Sequence, residues 1–331
     1  MKIAIGGKFY PMNPEMGYGA ERMAVNLAIG LIKEGHDVYV FSQKGAWIPG
    51  CKIIKISGYP SNSKDIIADA IINSNIKFDI AILQDDIGFW NTPRLPFKYL
   101  FIPYGYKFPN DKNCASVVCL SQSQKNRIDD GKSVIIPPSV DGERFIPARE
   151  KFDYYTWVGK IWHSRIKPVH HAIEAVKIAG KKIIVISGLI EDKQYFNTMV
   201  LPHIDNVNVI FKTDVSEDEK SAILGLSSGL LSPQGYVETF GMNHIEAFAC
   251  GIPVIYNDPI DRFNEHAPIF YYGNDDVALR IDGSIDLSNK FADKISNIKS
   301  DMFVQSRKHF EENFSIPVVT KKWIDLMEKH I

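Results

Sequence analysis

Two glutamates, Glu238 and Glu246, stand eight positions apart in the stretch from Ser232 to Asp258, which reads SPQGYVETFGMNHIEAFACGIPVIYND. The pattern predicts that Glu238 precedes a helix and that Glu246 lies on it, with Gly251 ending the helix. The residues after Glu238 would then offer free backbone N–H groups at a helix N-terminus, where the helix dipole favours an anion such as a phosphate. These residues are Thr239, Phe240, Gly241 and Met242. We therefore expect a phosphate-binding helix start flanked by two carboxylates.

The string ETFG, followed by EAFACG and PVI, resembles the E-x7-E signature of the retaining, nucleotide-sugar-dependent glycosyltransferases of family four. The resemblance implies the GT-B fold, in which two Rossmann-like, doubly wound parallel-sheet domains face each other across a cleft. It also implies that Glu238 holds hydroxyls of the donor sugar and that Glu246 binds the ribose. The alternative is that both glutamates decorate a surface helix, but the Gly, Ala and Pro residues around them also fit the motif.

A group of basic residues follows the predicted strand 154–158 in the text VGKIWHSRIKP. A departing nucleoside diphosphate gains negative charge, so a catalyst without a metal needs fixed cations beside it. Lys160 and Lys167 are the predicted catalytic cations. Counting forward from Lys160 places the family's second basic position on Arg165 instead, whereas counting back from the IEA text at 173–175 places it on Lys167. A basic turn that is merely solvated is the alternative.

The turn Gly17-Tyr18-Gly19, followed by Ala-Glu-Arg, comes after the first predicted strand. Glycine permits close approach of the backbone to a phosphate or a sugar. In the resembling family a glycine turn at this place closes over the donor, so we expect Gly17 and Gly19 to bind the donor. The turn lacks both the Walker spacing and the G-x-G-x-x-G spacing of a dinucleotide site. A plain strand-to-helix turn is the alternative.

Two tyrosines, Tyr104 and Tyr106, follow the predicted strand 99–102. Many members of the resembling family carry a histidine here, near the reacting sugar. We assign both tyrosines to the acceptor side; for Tyr104, replacement of that histidine, stacking on a sugar and simple packing all stay open.

Length and composition indicate a soluble globular protein of about two domains, since the 331 residues are 45% hydrophobic and 23% charged. A formal net charge of −1 provides no global field that would attract nucleic acid or an anionic membrane. The four cysteines show neither the paired spacing of a zinc site nor a disulfide framework. The sequence shows no signal peptide and no transmembrane segment, and we predict a cytoplasmic protein.

Short apolar runs alternate with helical patterns, which predicts the α/β class with parallel sheets covered by helices. The first series has predicted strands at 2–6, 37–41, 53–56, 78–83, 99–102 and 117–120, with a last run at 134–136. The second series has predicted strands at 154–158, 183–187, 207–211, 229–231 and 253–256. We expect an N-terminal Rossmann-like acceptor-side domain at 1–148, a Rossmann-like nucleotide-sugar-binding domain at 149–310, and a helix at 311–331 that crosses back to the first domain.

No Asp-x-Asp motif occurs in the chain. Paired aspartates hold a divalent metal against the diphosphate in the other glycosyltransferase architecture. This absence favours a site without a metal. The resemblance implies retention and a nucleotide-sugar donor, so we predict retaining transfer of a sugar from a UDP- or GDP-linked donor to an acceptor hydroxyl, with no metal and no cofactor. The acceptor is a glycan, a lipid-linked sugar or a small molecule, and a nucleic acid stays open. The alternatives are a GT-B sugar-nucleotide epimerase, a phosphorylase, or a non-catalytic sugar-nucleotide-binding partner subunit.

Overall fold

The structure is a computed structural model, and it describes residues 1–7, 10–15, 19–56, 66–85, 95–104, 111–128, 131–236, 240–258, 276–283 and 285–331. The chain divides into two compact units. Unit 1 comprises Met1–Ser139 and Phe314–Ile331, and unit 2 comprises Val140–Asn313. The predicted partition, which assigns a function to each domain, stays a prediction. Within the described ranges no helix is long and apolar enough to cross a bilayer.

In its described residues, unit 1 contains a sheet of seven parallel strands. The strands are β1 Lys2–Gly6, β2 Asp37–Ser42, β3 Lys52–Lys55, β4 Ile80–Asp85, β5 Tyr99–Pro103, β6 Cys114–Cys119 and β7 Val134–Ile135, in the spatial order β3-β2-β1-β4-β5-β6-β7. Helices α1 Gly19–Lys33, α2 Ile66–Asn73 and α3 Gln122–Ile128 connect them. The central strands are continuous apolar runs because both faces of a parallel sheet are covered by helices.

Unit 2 contains a second parallel sheet, with six strands among the residues described. They are β8 Tyr154–Val158, β9 Lys182–Ile186, β10 Val209–Lys212, β11 Gly229–Ser232, β12 Val254–Asp258 and β13 Ala278–Asp282, in the order β10-β9-β8-β11-β12-β13. The helices are α4 Val169–Ile178, α5 Lys193–Tyr195, α6 Glu217–Leu226, α7 Met242–Ala249, α8 Leu287–Ile295 and α9 Asp301–Asn313. A π-helical turn, Phe196–Val200, and a 3-10 turn, Leu201–His203, continue α5.

The terminal helix α10, Ile316–Glu328, belongs to unit 1 and packs on α1. The two helices approach closely at Gly30, where a β-carbon would stand 1.9 Å from Thr320 Oγ1 and 2.9 Å from Ile316 Cγ2. The missing side chain of glycine therefore permits the contact.

The two doubly wound sheets confirm the predicted α/β fold class, and one strand, β13, was not predicted. Its sequence ALRID places Arg280 and Asp282 outward while Ala278 and Ile281 are buried. Strand β13 lies at the edge of its sheet. Charges are common on edge strands because they discourage pairing with other chains. These charges also interrupt the apolar run that predicts a central strand, so the sequence pattern did not indicate β13.

The strand order of each sheet reverses beside the first strand of its unit, between β1 and β4 and between β8 and β11. Doubly wound sheets bind ligands at such a switch point, outside the carboxyl ends of the strands. In unit 2 this position is occupied by the segment 159–168, which follows β8 and which we call the basic loop, and by the segment that follows β11 and precedes α7.

Candidate active site

Helix α7 begins at Met242, directly after Gly241, whose φ of +91° lies in the left-handed region. Residues with a side chain rarely adopt this conformation, so glycine is favoured there. Phe240, before it, is buried. The first N–H groups of a helix have no acceptor within the helix, and the positive end of its dipole lies beside them. The helix therefore starts where the sequence predicts, in a form that suits an anion.

Four of the predicted site residues lie outside the described residues. They are Gly17, Tyr106, Glu238 and Thr239. Their assigned roles stay predictions.

Asn243 joins the first turn of α7 to the end of β8. Its side-chain amide donates a hydrogen bond of 3.0 Å to the carbonyl oxygen of Val158. Since Lys160 lies two residues after Val158, the basic loop begins beside the helix start. Sequence reasoning did not single out Asn243. The only signal was its position in the interval between the two glutamates.

The segment after β11 packs on the backbone of the basic loop. The N–H of Gly235 donates to the carbonyl oxygen of Ile166 over 3.0 Å. A β-carbon at Gly235 would stand 1.9 Å from the carbonyl oxygen of Arg165, so the contact requires glycine. Arg165 and Lys167 therefore lie beside the chain that leads to α7.

The charge of Lys167 acts on the first turn of α7. Burial lowers the pKa of His244 to about 3, and the positive charge of Lys167 contributes to this shift as the smaller cause. The His244 Nε2 atom lies 2.7 Å from Ser232 Oγ at the end of β11. His244 is therefore neutral at physiological pH, and it contributes a hydrogen-bonding ring to the site rather than a cation.

Lys160 lies where the basic loop meets the segment after β9. Its Nζ atom stands 3.4 Å from Glu191 Oε1, and both side chains are partly exposed, so solvent weakens the ion pair. The backbones of the two segments also bond, because Ile161 donates to Leu189 and accepts from Glu191, each over 2.9 Å. The three predicted cations thus share one loop, and the charge of Lys167 reaches His244 on α7.

Two buried amides fix the segment after β11. Asn257 Oδ1, near the end of β12, accepts from the backbone N–H of Gln234 over 2.6 Å, and Asn257 Nδ2 donates to the Gln234 carbonyl over 2.8 Å. The Gln234 side chain donates to Ser232 Oγ over 2.8 Å. Sequence reasoning missed this brace. The sequence signal for this pair of amides was a polar residue near the carboxyl end of each of two apolar strands, Gln234 after β11 and Asn257 in β12.

Glu246 lies on the second turn of α7, and its side chain is only 1% exposed. Its Oε2 atom stands 3.1 Å from Nζ of Lys220 on α6. Decoration of a surface helix is therefore wrong for this glutamate. Lys220 was not predicted as a site residue. Its signal in the sequence was its place on a helix beside the apolar residues Ile223 and Leu224, where a lysine indicates a buried charge.

In unit 1, Gly19 is the first residue of α1. Tyr104 bridges that helix start and strand β4, since its hydroxyl bonds Gln84 Oε1 and lies 3.3 Å from the carbonyl oxygen of Ala20. Gln84 is buried near the carboxyl end of β4. Tyr104 is thus anchored at the switch point of the first sheet, and its acceptor role stays a prediction.

The described part of the chain contains no group of three or more His, Cys, Asp or Glu side chains that could hold a metal ion. The neighbouring histidines of α4 have other partners. His170 Nδ1 lies 2.7 Å from the Tyr195 hydroxyl, and His171 Nδ1 lies 2.8 Å from Ser288 Oγ. Burial lowers the pKa of His170 to about 4. These rings serve the packing of α4.

The profile of the family described as Glycosyl transferases group 1 matches residues 144–267. This part of the chain is similar to the glycosyl transferases of group 1. The match includes the basic loop and the helices α6 and α7, which form the site described above. The resemblance read from the sequence is confirmed at this level.

A curated relative is the O-antigen chain mannosyltransferase RfbU of Salmonella typhimurium, which is 30% identical over 162 residues. This alignment spans 46% of the chain and 45% of RfbU, so less than half of the relative is matched. A similar solved structure is AviGT4, a glycosyltransferase involved in avilamycin A biosynthesis, with a TM-score of 0.76 and 15% identity over 99% of this chain and 97% of that chain. HepE of Anabaena, in complex with UDP and glucose, has a TM-score of 0.69 and 12% identity over 99% of each chain. These likenesses confirm the GT-B fold.

Proposed function

We propose that this protein is a retaining glycosyltransferase that moves a sugar from a nucleoside diphosphate to an acceptor hydroxyl without a bound metal. One observation carries the proposal. At the switch point of the unit 2 sheet, a basic loop, a helix N-terminus and a buried glutamate occur together inside the region that matches glycosyl transferases group 1. The loop and the helix N-terminus suit the diphosphate of a sugar nucleotide, and the glutamate suits its ribose.

The diphosphate would bind at the start of α7. The N–H groups of Phe240, Gly241 and Met242 and the charge of Lys167 would then lie beside the diphosphate, where negative charge grows as the sugar departs. Such preorganised donors stabilise a transition state more than a ground state. Lys160 and Arg165, on the same loop, would supply further positive charge.

The two glutamates would hold the rest of the donor. Glu246, buried behind the helix start, would accept hydrogen bonds from the ribose hydroxyls. Glu238 would hold hydroxyls of the transferred sugar as positive charge develops at its anomeric carbon. In unit 1, Gly17 and Gly19 would approach the donor, and Tyr104 and Tyr106 would serve the acceptor.

The reaction proceeds on one face of the sugar. The bond from the anomeric carbon to the phosphate oxygen breaks, and the bond to the acceptor oxygen forms on the same face. The acceptor proton passes to the leaving phosphate oxygen. The products are the glycoside, with its anomeric configuration retained, and the nucleoside diphosphate. The predicted cytoplasmic location is part of this proposal.

One relative and one structure of similar fold suggest the donors to try first. RfbU is named as a mannosyltransferase and HepE was solved with UDP and glucose. The test measures binding of UDP and GDP by calorimetry, followed by transfer from GDP-mannose, UDP-glucose and UDP-galactose to a panel of acceptors. The cognate nucleotide stabilises the protein by about 2.7 kcal/mol at a hundredfold excess over Kd, so thermal shift gives a second reading. Absence of binding to either nucleotide would contradict the proposal, and binding without transfer would favour a partner subunit.

A further inference from the structure

A buried cluster of three charged side chains connects α6 to the candidate ribose glutamate. Lys220 Nζ stands 2.9 Å from the carboxylate of Glu217 and 3.1 Å from Oε2 of Glu246. The side chains of Lys220 and Glu217 are each 7% exposed, and that of Glu246 is 1% exposed. The ammonium also lies 5.2 Å from the centroid of the buried Phe145 ring. Water is therefore largely excluded from the cluster.

The first turn of α6 orients the Lys220 side chain toward α7. Helix α6 begins after Ser216, whose hydroxyl accepts from the N–H of Glu219 over 3.1 Å, which fixes the first turn. Glu217 and Lys220 are three residues apart and therefore share a face of the helix. That face is directed at α7, since Lys220 reaches Glu246 there.

A lysine at this position is not needed to fill space. An apolar side chain of similar length packs in a protein interior without the desolvation that a buried ammonium requires. What an apolar residue cannot do is balance the charge of a buried carboxylate, which without a cation takes up a proton or disrupts the packing. The pairing of Lys220 with Glu246 therefore points to a need for a carboxylate at that place.

A pair of ribose hydroxyls donates hydrogen bonds, and a carboxylate is a suitable acceptor for both. An ionised carboxylate only accepts hydrogen bonds and has about four lone-pair sites. Hydrogen bonds from hydroxyls to a charged acceptor are stronger than those to a neutral one. Lys220 would thus orient the Glu246 carboxylate for two hydroxyl donors.

We propose that Lys220 is a positioning residue that holds Glu246 as an oriented carboxylate for the ribose of the donor nucleotide. The inference rests on the proposed function, because it takes Glu246 to contact the ribose. Lys220 itself does not contact the substrate. The buried Glu217 shares the ammonium and fixes it from the side of α6.

The experiment is calorimetric titration of the full chain with UDP and with GDP. Lys220→Met should raise the Kd of the cognate nucleotide about tenfold or more, the scale of one hydrogen bond to a charged group, and leave the number of binding sites per chain unchanged. A merely structural role would instead reduce the number of competent sites at unchanged Kd. Lys181→Met is the matched control, since Lys181 pairs with Asp153 over 2.9 Å at the amino ends of β8 and β9, away from the site.

A double-mutant cycle decides whether Lys220 acts through Glu246. If it does, Lys220→Met combined with Glu246→Gln should bind as weakly as Glu246→Gln alone. Additive losses, or wild-type Kd in Lys220→Met, would overturn the role of Lys220. If Lys220→Met does not fold, Glu217→Gln with Lys220→Met, which removes one of the two buried carboxylates, should show the same rise in Kd. Failure of the wild-type chain to bind either nucleotide overturns the proposed function, and the role of Lys220 with it.

Discussion

The α-carbon of Gly235 lies against the carbonyl oxygen of Arg165, so closely that a β-carbon at Gly235 would stand 1.9 Å from that oxygen. The two residues are remote in sequence, and they belong to the two segments that leave the sheet at its switch point. Their contact, with the hydrogen bond from Gly235 to Ile166, sets the position of the basic loop relative to α7. The geometry of the candidate phosphate site therefore depends on this contact, together with the hydrogen bond from Asn243 to Val158.

Gly235→Ala should separate the basic loop from the start of α7. Because the clash is with backbone, one of the two segments must move, and we expect nucleotide affinity to fall about tenfold or more with a loss of about 1–3 kcal/mol in stability. Calorimetry and urea unfolding measure the two effects. Gly188→Ala is the control, since a β-carbon at Gly188 meets nothing within 4 Å. Wild-type affinity in Gly235→Ala would remove this contact from the site.

The three cations of the basic loop should differ in their effect on catalysis. Lys167→Ala and Lys160→Ala should each lower kcat/KM by roughly 10²-fold, the scale of removing one preorganised stabiliser of developing charge. Arg165→Ala should have a smaller effect. The measurement is steady-state kinetics with the identified donor. A severe loss in Arg165→Ala together with normal Lys167→Ala would place the second family cation on Arg165.

Substitution of the two glutamates should affect nucleotide binding and sugar transfer differently. Glu238→Gln should bind the nucleoside diphosphate normally and lose most transfer activity, because the change removes charge near the reacting carbon. Glu246→Ala should weaken nucleotide binding, since a ribose contact exists in the ground state and the transition state alike. Calorimetry and kinetics on both variants test this division. Near-normal turnover in Glu238→Gln, or unchanged affinity in Glu246→Ala, would contradict the assigned roles.

Transfer should survive removal of divalent metal. The cations of the basic loop and the N-terminus of α7 take the place of a metal in this proposal. The check is an assay after exhaustive EDTA treatment, with the anomeric configuration of the product read by NMR. Loss of activity that magnesium or manganese restores would contradict the metal-free site. An inverted product would contradict the retaining mechanism even with the fold unchanged.

His244 should make the protein less stable in acid. Its pKa is lowered from 6.5 to about 3 in the folded chain, so between these values the unfolded chain binds a proton that the folded chain does not. Folding with a neutral His244 therefore costs nothing above pH 6.5. Below pH 6.5, the free energy of unfolding falls by about 1.4 kcal/mol per pH unit until the pH reaches about 3. His244→Gln should therefore flatten the pH dependence of urea unfolding between pH 6.5 and 4. His203→Gln is the control, and equal slopes in His244→Gln and wild type would contradict the prediction.

Much of the architecture could be read from the sequence, because parallel strands buried on both faces leave apolar runs that alternate with amphipathic helices. The start of α7 was readable for a related reason. Gly241 and Gly251 mark positive-φ positions at the two ends of the helix, and such backbone demands are local. The edge strand β13 was not readable, since its charges mask the pattern.

The tertiary structure decided which residues meet. Nothing local in the sequence indicates that Gly235 contacts Arg165, that Asn257 bonds Gln234, or that Lys220 pairs with Glu246. Each pair joins different elements of unit 2, and the distance between such residues depends on how the helices and loops pack on the sheet. The local pattern determined the fold class and the kinds of residue at the site. The partner of each side chain followed from packing, because burial fixes charges and hydrogen bonds between residues that are far apart in sequence.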